Sequence, residues 1–219
     1  MKRKIVLVLF ILTALVSCEK EEYSYSYDMC EQGHFYYGNN EKIYIDSLIQ
    51  NDYLLIGFEN IYSNEQINEF LNNQSDFNNE NLSEQYDLKD YNYKLIIREF
   101  KTSKSCDEIE NIIQKLHHSG IVSFAAYTYV GRFCVGLNCT DLMSYSNQFL
   151  VSLNDSTDFN KLNNLVTKTN TWIEKDKESS YVIGVDKNSL GNSMLMANYF
   201  HETGLFRYAH PNFIFFDLN

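Results

Sequence analysis

The stretch SGIVSFA at residues 119–125 recurs as TGLFRYA at residues 203–209, after an offset of 84 residues. In each copy a glycine follows a helical pattern and precedes a run rich in apolar and aromatic residues, which predicts a strand. The same offset places Ser189 at the position of Ser105, and we expect a helix to begin at each serine. A segment that recurs at one fixed offset indicates an internally duplicated fold.

The helix that precedes the first copy has clear signals in the sequence. Ser105 and Glu108 have the spacing of a capping box, in which each side chain bonds the other residue's backbone N–H. Apolar residues follow at the spacing of one helix face, at Ile109, Ile112, Ile113 and Leu116. We expect Gly120 to end this helix in the left-handed conformation, and Gly204 to end a second helix over residues 189–203.

Strand and helix patterns alternate through the rest of the chain. Strands are predicted at 53–58, 93–97, 121–130, 148–153, 171–174, 181–185 and 205–216, and further helices at 63–71 and 157–168. Strand-helix-strand-strand-helix-strand is the order of the split βαβ, or ferredoxin-like, unit. The sequence therefore predicts an α+β fold of two tandem ferredoxin-like modules, over residues 35–145 and 146–219.

The N-terminus has the pattern of an export signal. A basic start at residues 2–4 precedes an apolar run over residues 5–16, shorter than the roughly 20 residues of a membrane-spanning helix. This predicts a removable signal peptide over residues 1–17. The sequence LVSC at residues 15–18 resembles a lipobox, which implies that Cys18 is acylated and anchors the mature protein to the membrane. An ordinary secretory signal that contains a cysteine is the alternative.

The residues that follow the lipid are polar and tyrosine-rich, and we expect residues 18–34 to form a tether. Within it, EKEE at residues 19–22 resembles the surface-export signal of some Gram-negative lipoproteins. A charged, solvated tether without that role is the alternative. Together these features predict an outer-membrane lipoprotein exposed at the cell surface.

Net charge excludes one class of partner. The chain carries a formal charge of −11, and loss of the three cations at residues 2–4 leaves −14 for the mature protein. Nucleic-acid binding needs a basic face. We therefore expect no nucleic-acid partner, and no membrane contact beyond the lipid itself.

Four cysteines remain after Cys18, and an oxidising compartment permits disulfides among them. Three complete pairings of Cys30, Cys106, Cys134 and Cys139 are possible, and the sequence does not choose among them. Cys134 and Cys139 enclose four turn-like residues and are a possible disulfide, while free buried thiols are the alternative. No cysteine or histidine pairs have the spacing of a zinc site, so no metal is expected.

Catalytic motifs are missing from the sequence. There is no Gly-x-Ser-x-Gly turn and no glycine-rich phosphate loop. His117 and His118 are adjacent, so on a helix they diverge and cannot share a ligand. Cys106, at a helix start, has the position of a thiol with a lowered pKa but no obvious base partner. We therefore expect a protein that is not an enzyme, with no catalytic residues and no cofactor.

Three segments carry a resemblance to a known family. They are SNQFLVSL at 146–153, GNSMLMANYFHETGLF at 191–206 with YAHPNF at 208–213, and, more weakly, FYYGNNEKI at 35–43. They resemble the propeptide-like N-terminal region of secreted subtilisin-like serine proteases from certain Gram-negative anaerobes. In that family the region implies ferredoxin-like folds that dock a sheet face on the protease and lay a C-terminal tail along its cleft. Here Asn219 falls where the protease domain would begin, and His210 stands where an acidic residue is expected.

Two functions follow as hypotheses. In the first, the chain is a free-standing propeptide-like inhibitor or folding chaperone of a subtilisin-like protease acting in trans, with the tail added as a strand to the protease cleft. Contact is then expected from Phe216, Asp217, Leu218 and Asn219, whose deletion should leave the fold stable. In the second, the chain is a cell-surface module that binds a glycan, peptide or neighbouring protein and has no protease role.

Overall fold

The computed structural model describes residues 28–78, 85–86, 93–135, 138–177 and 180–216, with the backbone alone for 85–86, 132–135, 138–141 and 177. The helices are α1 (Met29–Gln32), α2 (Asn64–Asn72), α3 (Cys106–His117), α4 (Phe159–Thr169) and α5 (Ser193–Glu202). The strands are β1 (Phe35–Gly38), β2 (Glu41–Tyr44), β3 (Ile49–Glu59), β4 (Gln85–Tyr86), β5 (Tyr93–Glu99), β6 (Val122–Val135), β7 (Asn138–Leu153), β8 (Trp172–Lys177), β9 (Ser180–Gly184) and β10 (Phe206–Phe216). No helix within the described ranges is long and apolar enough to cross a membrane.

The fold is α+β, and eight of the strands form one antiparallel sheet. Their order is β4-β5-β3-β6-β7-β9-β8, with β10 paired to β7, while β1 and β2 form a separate hairpin. All the pairs in the larger sheet are antiparallel. The predicted fold class is therefore confirmed at the level of α+β.

Strand β7 passes through the boundary that the sequence places between residues 145 and 146. It pairs with β6 through residues 138–144 and with β9 through residues 148–152. Strand β10 pairs with β7 along both parts. The two halves of the chain therefore share one continuous sheet.

Helix α3 begins as predicted. Its capping box is formed in both directions between Ser105 and Glu108, and its four predicted apolar residues are buried. The predicted end is wrong, because the helix closes at His117 with His118 as its C-cap, and Gly120 is not left-handed. Ser119 makes this earlier end possible, since its hydroxyl donates to the carbonyl oxygen of Leu116.

Helix α5 starts later than predicted. It begins at Ser193, where the side chain of Asn192 accepts a hydrogen bond from the Leu195 N–H and so acts as the N-cap. The predicted start, Ser189, instead closes a turn in which its N–H donates to the Asp186 carbonyl. The predicted end is confirmed, with Gly204 at φ 70° directly after the C-cap.

Residues 28–34, which lie inside the predicted tether of residues 18–34, are packed against the body of the protein. Met29 and His34 are buried, and Cys30 forms a disulfide with Cys106 at the start of α3. The covalent bond and the burial of Met29 hold α1 against the body, so any tether ends before Asp28.

Apolar side chains form two clusters along the sheet. One gathers the side chains of β3, β5 and β6 with α2 and α3, and the other gathers the C-terminal part of β7 and β9 with α4 and α5. Strand β10 contributes to both, because Phe206 and Ala209 lie in the second cluster and Ile214 and Phe216 in the first.

Candidate functional site

The residue at the start of the predicted tail site, Phe216, lies in the core. It pairs with Leu142 on β7 and its side chain is 1% exposed, so this side chain belongs to the core and not to a contact surface, against the prediction. Side chains alternate along a strand, and Ile214 and Phe216 therefore take the buried side while Phe215 is exposed. The other three predicted contact residues, 217–219, lie outside the described residues.

The cysteines are arranged in a way that the sequence left open. Cys30 is bonded to Cys106, so Cys106 is not the free thiol that a nucleophile requires. The register of β6 and β7 sets Cys134 opposite Cys139. Their side chains are outside the described part of the structure, and a bond between them stays a prediction, as does the lipid on Cys18.

A cleft of about 880 Å³ opens where the two halves of the chain meet. Its floor is formed by β6 and β7, one wall by α1 and α3, and the other by residues 185–192 with the first turn of α5. This volume is typical of small-ligand sites, which measure roughly 300–1,000 Å³.

The cleft exists because β7 changes partner. Pairing with β6 stops at Ser144 and pairing with β9 starts at Gln148. The segment between them is held by the loop after β9, whose Val185 N–H donates to the Asn147 carbonyl at 2.8 Å. The Lys187 N–H in the same loop donates to the Ser123 carbonyl on β6 at 3.0 Å, so the loop links β9 to β6, two of the strands that pair with β7.

Helix α1, which forms part of one wall of the cleft, is attached to the fold on two sides. The disulfide of Cys30 joins it to α3. On the other side, the Asn192 amide nitrogen contacts the Met29 sulfur at 3.3 Å, which joins α1 to the start of α5. The position of α1 in the wall therefore depends on its covalent bond to α3.

Asn147 provides the main unsatisfied polar group on the floor. It is 1% exposed, and neither its side-chain nitrogen nor its side-chain oxygen has a hydrogen-bond partner among the described residues. The hydroxyl of neighbouring Tyr145, also 1% exposed, has no partner in the described structure either. A buried polar group without a partner destabilises a protein by about 1–3 kcal/mol, so this amide is strongly disposed to bind a ligand that reaches it.

Carboxylates outnumber cations in the walls. Asp28, Glu31, Glu110 and Asp186 line the cleft, and among the described residues of its lining Lys187 is the one lysine or arginine. The Lys187 ammonium donates to the Ser119 carbonyl at 2.7 Å, which places its charge against backbone. The cleft is therefore acidic, like the chain as a whole.

Glu110 is tied to a buried tyrosine in the wall. The Tyr127 hydroxyl donates to Glu110 Oε1 at 2.9 Å and lies 3.4 Å from the Cys106 sulfur. Burial raises the pKa of the Glu110 carboxyl, and the nearby Asp28 carboxylate raises it further against the opposing effect of the Tyr127 hydrogen bond. Burial, with Glu110 as the main neighbouring charge, also raises the pKa of Tyr127.

The buried histidines are neutral near pH 7. Burial lowers the pKa of His117 to about 4, and its Nε2 accepts a hydrogen bond from the Ala125 N–H at 3.2 Å. Burial also lowers the pKa of His34 to about 4, and its Nδ1 lies 2.8 Å from the Tyr129 hydroxyl. These shifts move both groups away from the range in which an acid–base catalyst works at neutral pH.

Two other features of the described residues bear on function. No cluster of three or more His, Cys, Asp or Glu side chains that could hold a metal ion occurs within them.

A second depression of about 530 Å³ lies between α4 and the end of α5. In its lining, Asp158 forms an ion pair with Lys161, and the Asn154 amide donates to the Gly204 carbonyl.

Comparison with known proteins finds no family model that matches this chain, and no curated protein matches it.

The sequence contains one signal for the floor of the cleft. Residues 144–148 read SYSNQ, a polar run between the apolar stretches of β7. Polar residues inside a strand that is otherwise buried mark a place where hydrogen bonds must be found. Assigning this run to a cleft requires the positions of α1 and of residues 185–192, which the sequence does not give.

Proposed function

We propose that this protein is a non-catalytic surface lipoprotein that binds a polar ligand in the cleft between α3 and α5. The observation that carries the proposal is the buried Asn147 amide, which has no partner among the described residues and lines the cleft floor. This function corresponds to the binding-module hypothesis drawn from the sequence.

We also propose that each half is a ferredoxin-like module. The strands lie side by side in the order β4-β5-β3-β6 in the first half and β8-β9-β7-β10 in the second. The two halves therefore have the same strand order. If the strands of the larger sheet are counted along the chain within each half, so that the separate β1–β2 hairpin is left out, both orders are second, third, first and fourth. The cleft would then lie at the junction of two duplicated units, where ligand sites are frequent.

The lipid anchor would hold the cleft close to the membrane. Ten residues from Cys18 reach Asp28, a span of at most about 35 Å when fully extended. Replacement of Cys18 by alanine should release the protein from the membrane fraction. Recovery of the wild-type protein, with Cys18 in place, in the soluble fraction without detergent would contradict the lipid anchor.

The binding function is tested with the mature chain carrying Cys18→Ser, which removes the acylation site. Thermal unfolding is followed in the presence of separate panels of short peptides, neutral oligosaccharides and polyamines. A ligand that binds the folded state raises the melting temperature by mass action. We expect at least one class to do so, and to lose the effect in Asn147→Leu.

Asn198→Leu is the matched control. Asn198 is as buried as Asn147, lies on α5 outside the cleft lining, and donates to the Phe35 carbonyl at 2.8 Å. This variant should keep the ligand response of the wild type. No response to any panel, or an undiminished response in Asn147→Leu, would contradict the proposed function.

Inhibition of a subtilisin-like serine protease in trans is a second candidate. It is favoured by β10, which pairs with β7 alone in the described part of the sheet and so presents an edge of 11 residues. Pro211 lies within it, and proline is confined to edge strands and bulges because it cannot donate to a sheet. A protease could add a strand to this edge, and residues 217–219 would continue it toward the protease cleft.

The test of this candidate is an inhibition assay with a secreted subtilisin-like protease from the same organism. Removal of residues 217–219 should abolish inhibition and leave the fold intact, since Phe216 is kept. Absence of inhibition by the complete chain at micromolar concentration would exclude this role and leave the cleft as the functional site.

A further inference from the structure

We propose that the ligand of the cleft is a basic peptide, whose main-chain amide pairs with Asn147 and whose cationic side chain meets the carboxylates of the walls. This assignment rests on the proposed binding function and names its ligand class. It combines three features: the hydrogen-bonding pattern of the floor, the charge of the walls and the size of the opening.

The floor presents the complement of an amide. The side chain of Asn147 offers one N–H₂ donor and one carbonyl acceptor on the same plane, and both atoms are unpartnered within the described structure. In an extended peptide the N–H and C=O of one residue belong to two successive peptide units and point to the same side, so a single residue can satisfy both. A hydroxyl-rich ligand could do the same, and charge decides between them.

The walls favour a cation. Glu31 is exposed beside the cleft, and Glu110 contributes an oxygen beyond the one bonded by Tyr127. The ammonium of Lys187, which also lines the cleft, already donates to the Ser119 carbonyl. With a formal charge of −11 on the chain, the surrounding field attracts cations and repels phosphates and acidic peptides.

The opening suits a short segment rather than a folded domain. Its volume of about 880 Å³ lies between two helices, with amide side chains of Asn111 and Gln114 along the exposed part of α3. Such side chains can bond further main-chain groups of an extended peptide. A polyamine would leave the N–H₂ donors of Asn147 and of these amides unmatched, because its ammonium groups only donate, and a neutral sugar would leave the carboxylates unpaired.

Four defined probes separate these ligands by isothermal titration calorimetry. They are a blocked lysine–glycine–lysine tripeptide, the same tripeptide with acetylated lysines, spermidine, and the trimer of N-acetylglucosamine. We expect the basic tripeptide to bind at least about tenfold more tightly than the other three, because only it offers both an amide and a cation. Its affinity should fall as salt is added, since exposed charges are screened.

Variants locate the site. Asn147→Leu should weaken the basic tripeptide about tenfold or more, as expected when a buried hydrogen-bonding group is lost. Glu31→Gln should weaken it about two- to fivefold, the range of an exposed ion pair. Glu69→Gln, on the exposed face of α2 and outside the cleft, is the charge-matched control and should bind as the wild type does.

The possible results distinguish a wrong ligand class from a wrong binding function. Tighter binding of the neutral trimer, the acetylated peptide or spermidine would overturn the peptide assignment and keep the binding function. No binding of any probe, together with no response in the thermal panels, would overturn both. Equal binding of the basic tripeptide to Asn147→Leu and the wild type would place the peptide elsewhere and overturn the assignment.

Discussion

Removal of the Cys30–Cys106 disulfide should be among the most destabilising changes in this chain. The bond joins residues separated by 76 positions. In the chain-entropy model, closing a loop of that length in the unfolded state corresponds to about 4.5 kcal/mol at room temperature. Release of α1 also frees Met29, which is 3% exposed in the folded protein. We therefore expect Cys30→Ala with Cys106→Ala to lower the free energy of unfolding by about 4 kcal/mol.

The assay is urea unfolding of the oxidised wild type and of the double variant. Trp172 is the only tryptophan and reports on β8, while circular dichroism reports on the whole chain. With a slope of about 2–3 kcal/mol per molar urea, the midpoint should fall by roughly 1.3–2 M. Ligand binding should weaken in parallel, because α1 forms a wall of the cleft.

The matched control replaces Cys134 and Cys139 by alanine. These residues enclose four positions, so a bond between them closes a short loop and contributes less than the long one. A loss of less than about 1 kcal/mol on removal of Cys30–Cys106 would refute the reasoning. It would mean that α1 is held by neither the covalent bond nor the packing of Met29.

Three further predictions follow from buried groups. Asn147→Leu should raise the free energy of unfolding by about 1–3 kcal/mol, because it removes an unpaired buried amide; equal or lower stability in urea would contradict its unpaired state. The pKa of His34 is about 4 when folded against 6.5 ordinarily, so the unfolded chain binds more protons between these values. The free energy of unfolding should therefore decrease as the pH is lowered, and His34 should contribute about 1.4 kcal/mol of this decrease between roughly pH 7.5 and pH 5.5. His117 acts in the same direction, and His34→Gln should give a flatter urea midpoint against pH. Deletion of residues 217–219 should leave the melting temperature almost unchanged, whereas deletion that includes Phe216 should destabilise by about 3–5 kcal/mol; equal effects of the two deletions would contradict the burial of Phe216.

Local signals in the sequence were sufficient for most helices and strands. The capping box at Ser105 and the apolar stripe behind it predict α3, because both depend on residues within one or two turns. Ser189 was a misleading signal, since a serine in a turn and a serine at an N-cap satisfy similar backbone donors. Asn192 has the same capping ability and lies closer to the buried face of α5.

Pairing between distant segments could not be predicted from local patterns. The alternation of residues 148–153 indicates a strand, but it carries no information on which strands lie at either edge. The continuity of β7 through the predicted module boundary depends on β6, β9 and β10, which come from separate parts of the chain. The pairing of Cys30 with Cys106 also depends on contacts between distant segments, because the two cysteines are 76 residues apart.

The candidate site shows the same division. The polar run at residues 144–148 is visible in the sequence, and its burial follows from the apolar residues around it. Its meeting with α1 and residues 185–192 is a tertiary feature. Phe216 illustrates the opposite error, because an apolar residue near the end of a chain fits both a core strand and a free tail until its register with Leu142 is known.

The side-chain amide signals of Asn147 provide the most direct test of a ligand at the cleft floor. In a two-dimensional ¹⁵N–¹H spectrum of the mature Cys18→Ser chain, they are assigned by their loss in Asn147→Leu. We expect both N–H signals to move downfield and saturate as the blocked lysine–glycine–lysine tripeptide is added, while those of Asn198 stay in place. Binding of the tripeptide with unchanged Asn147 signals would contradict the account.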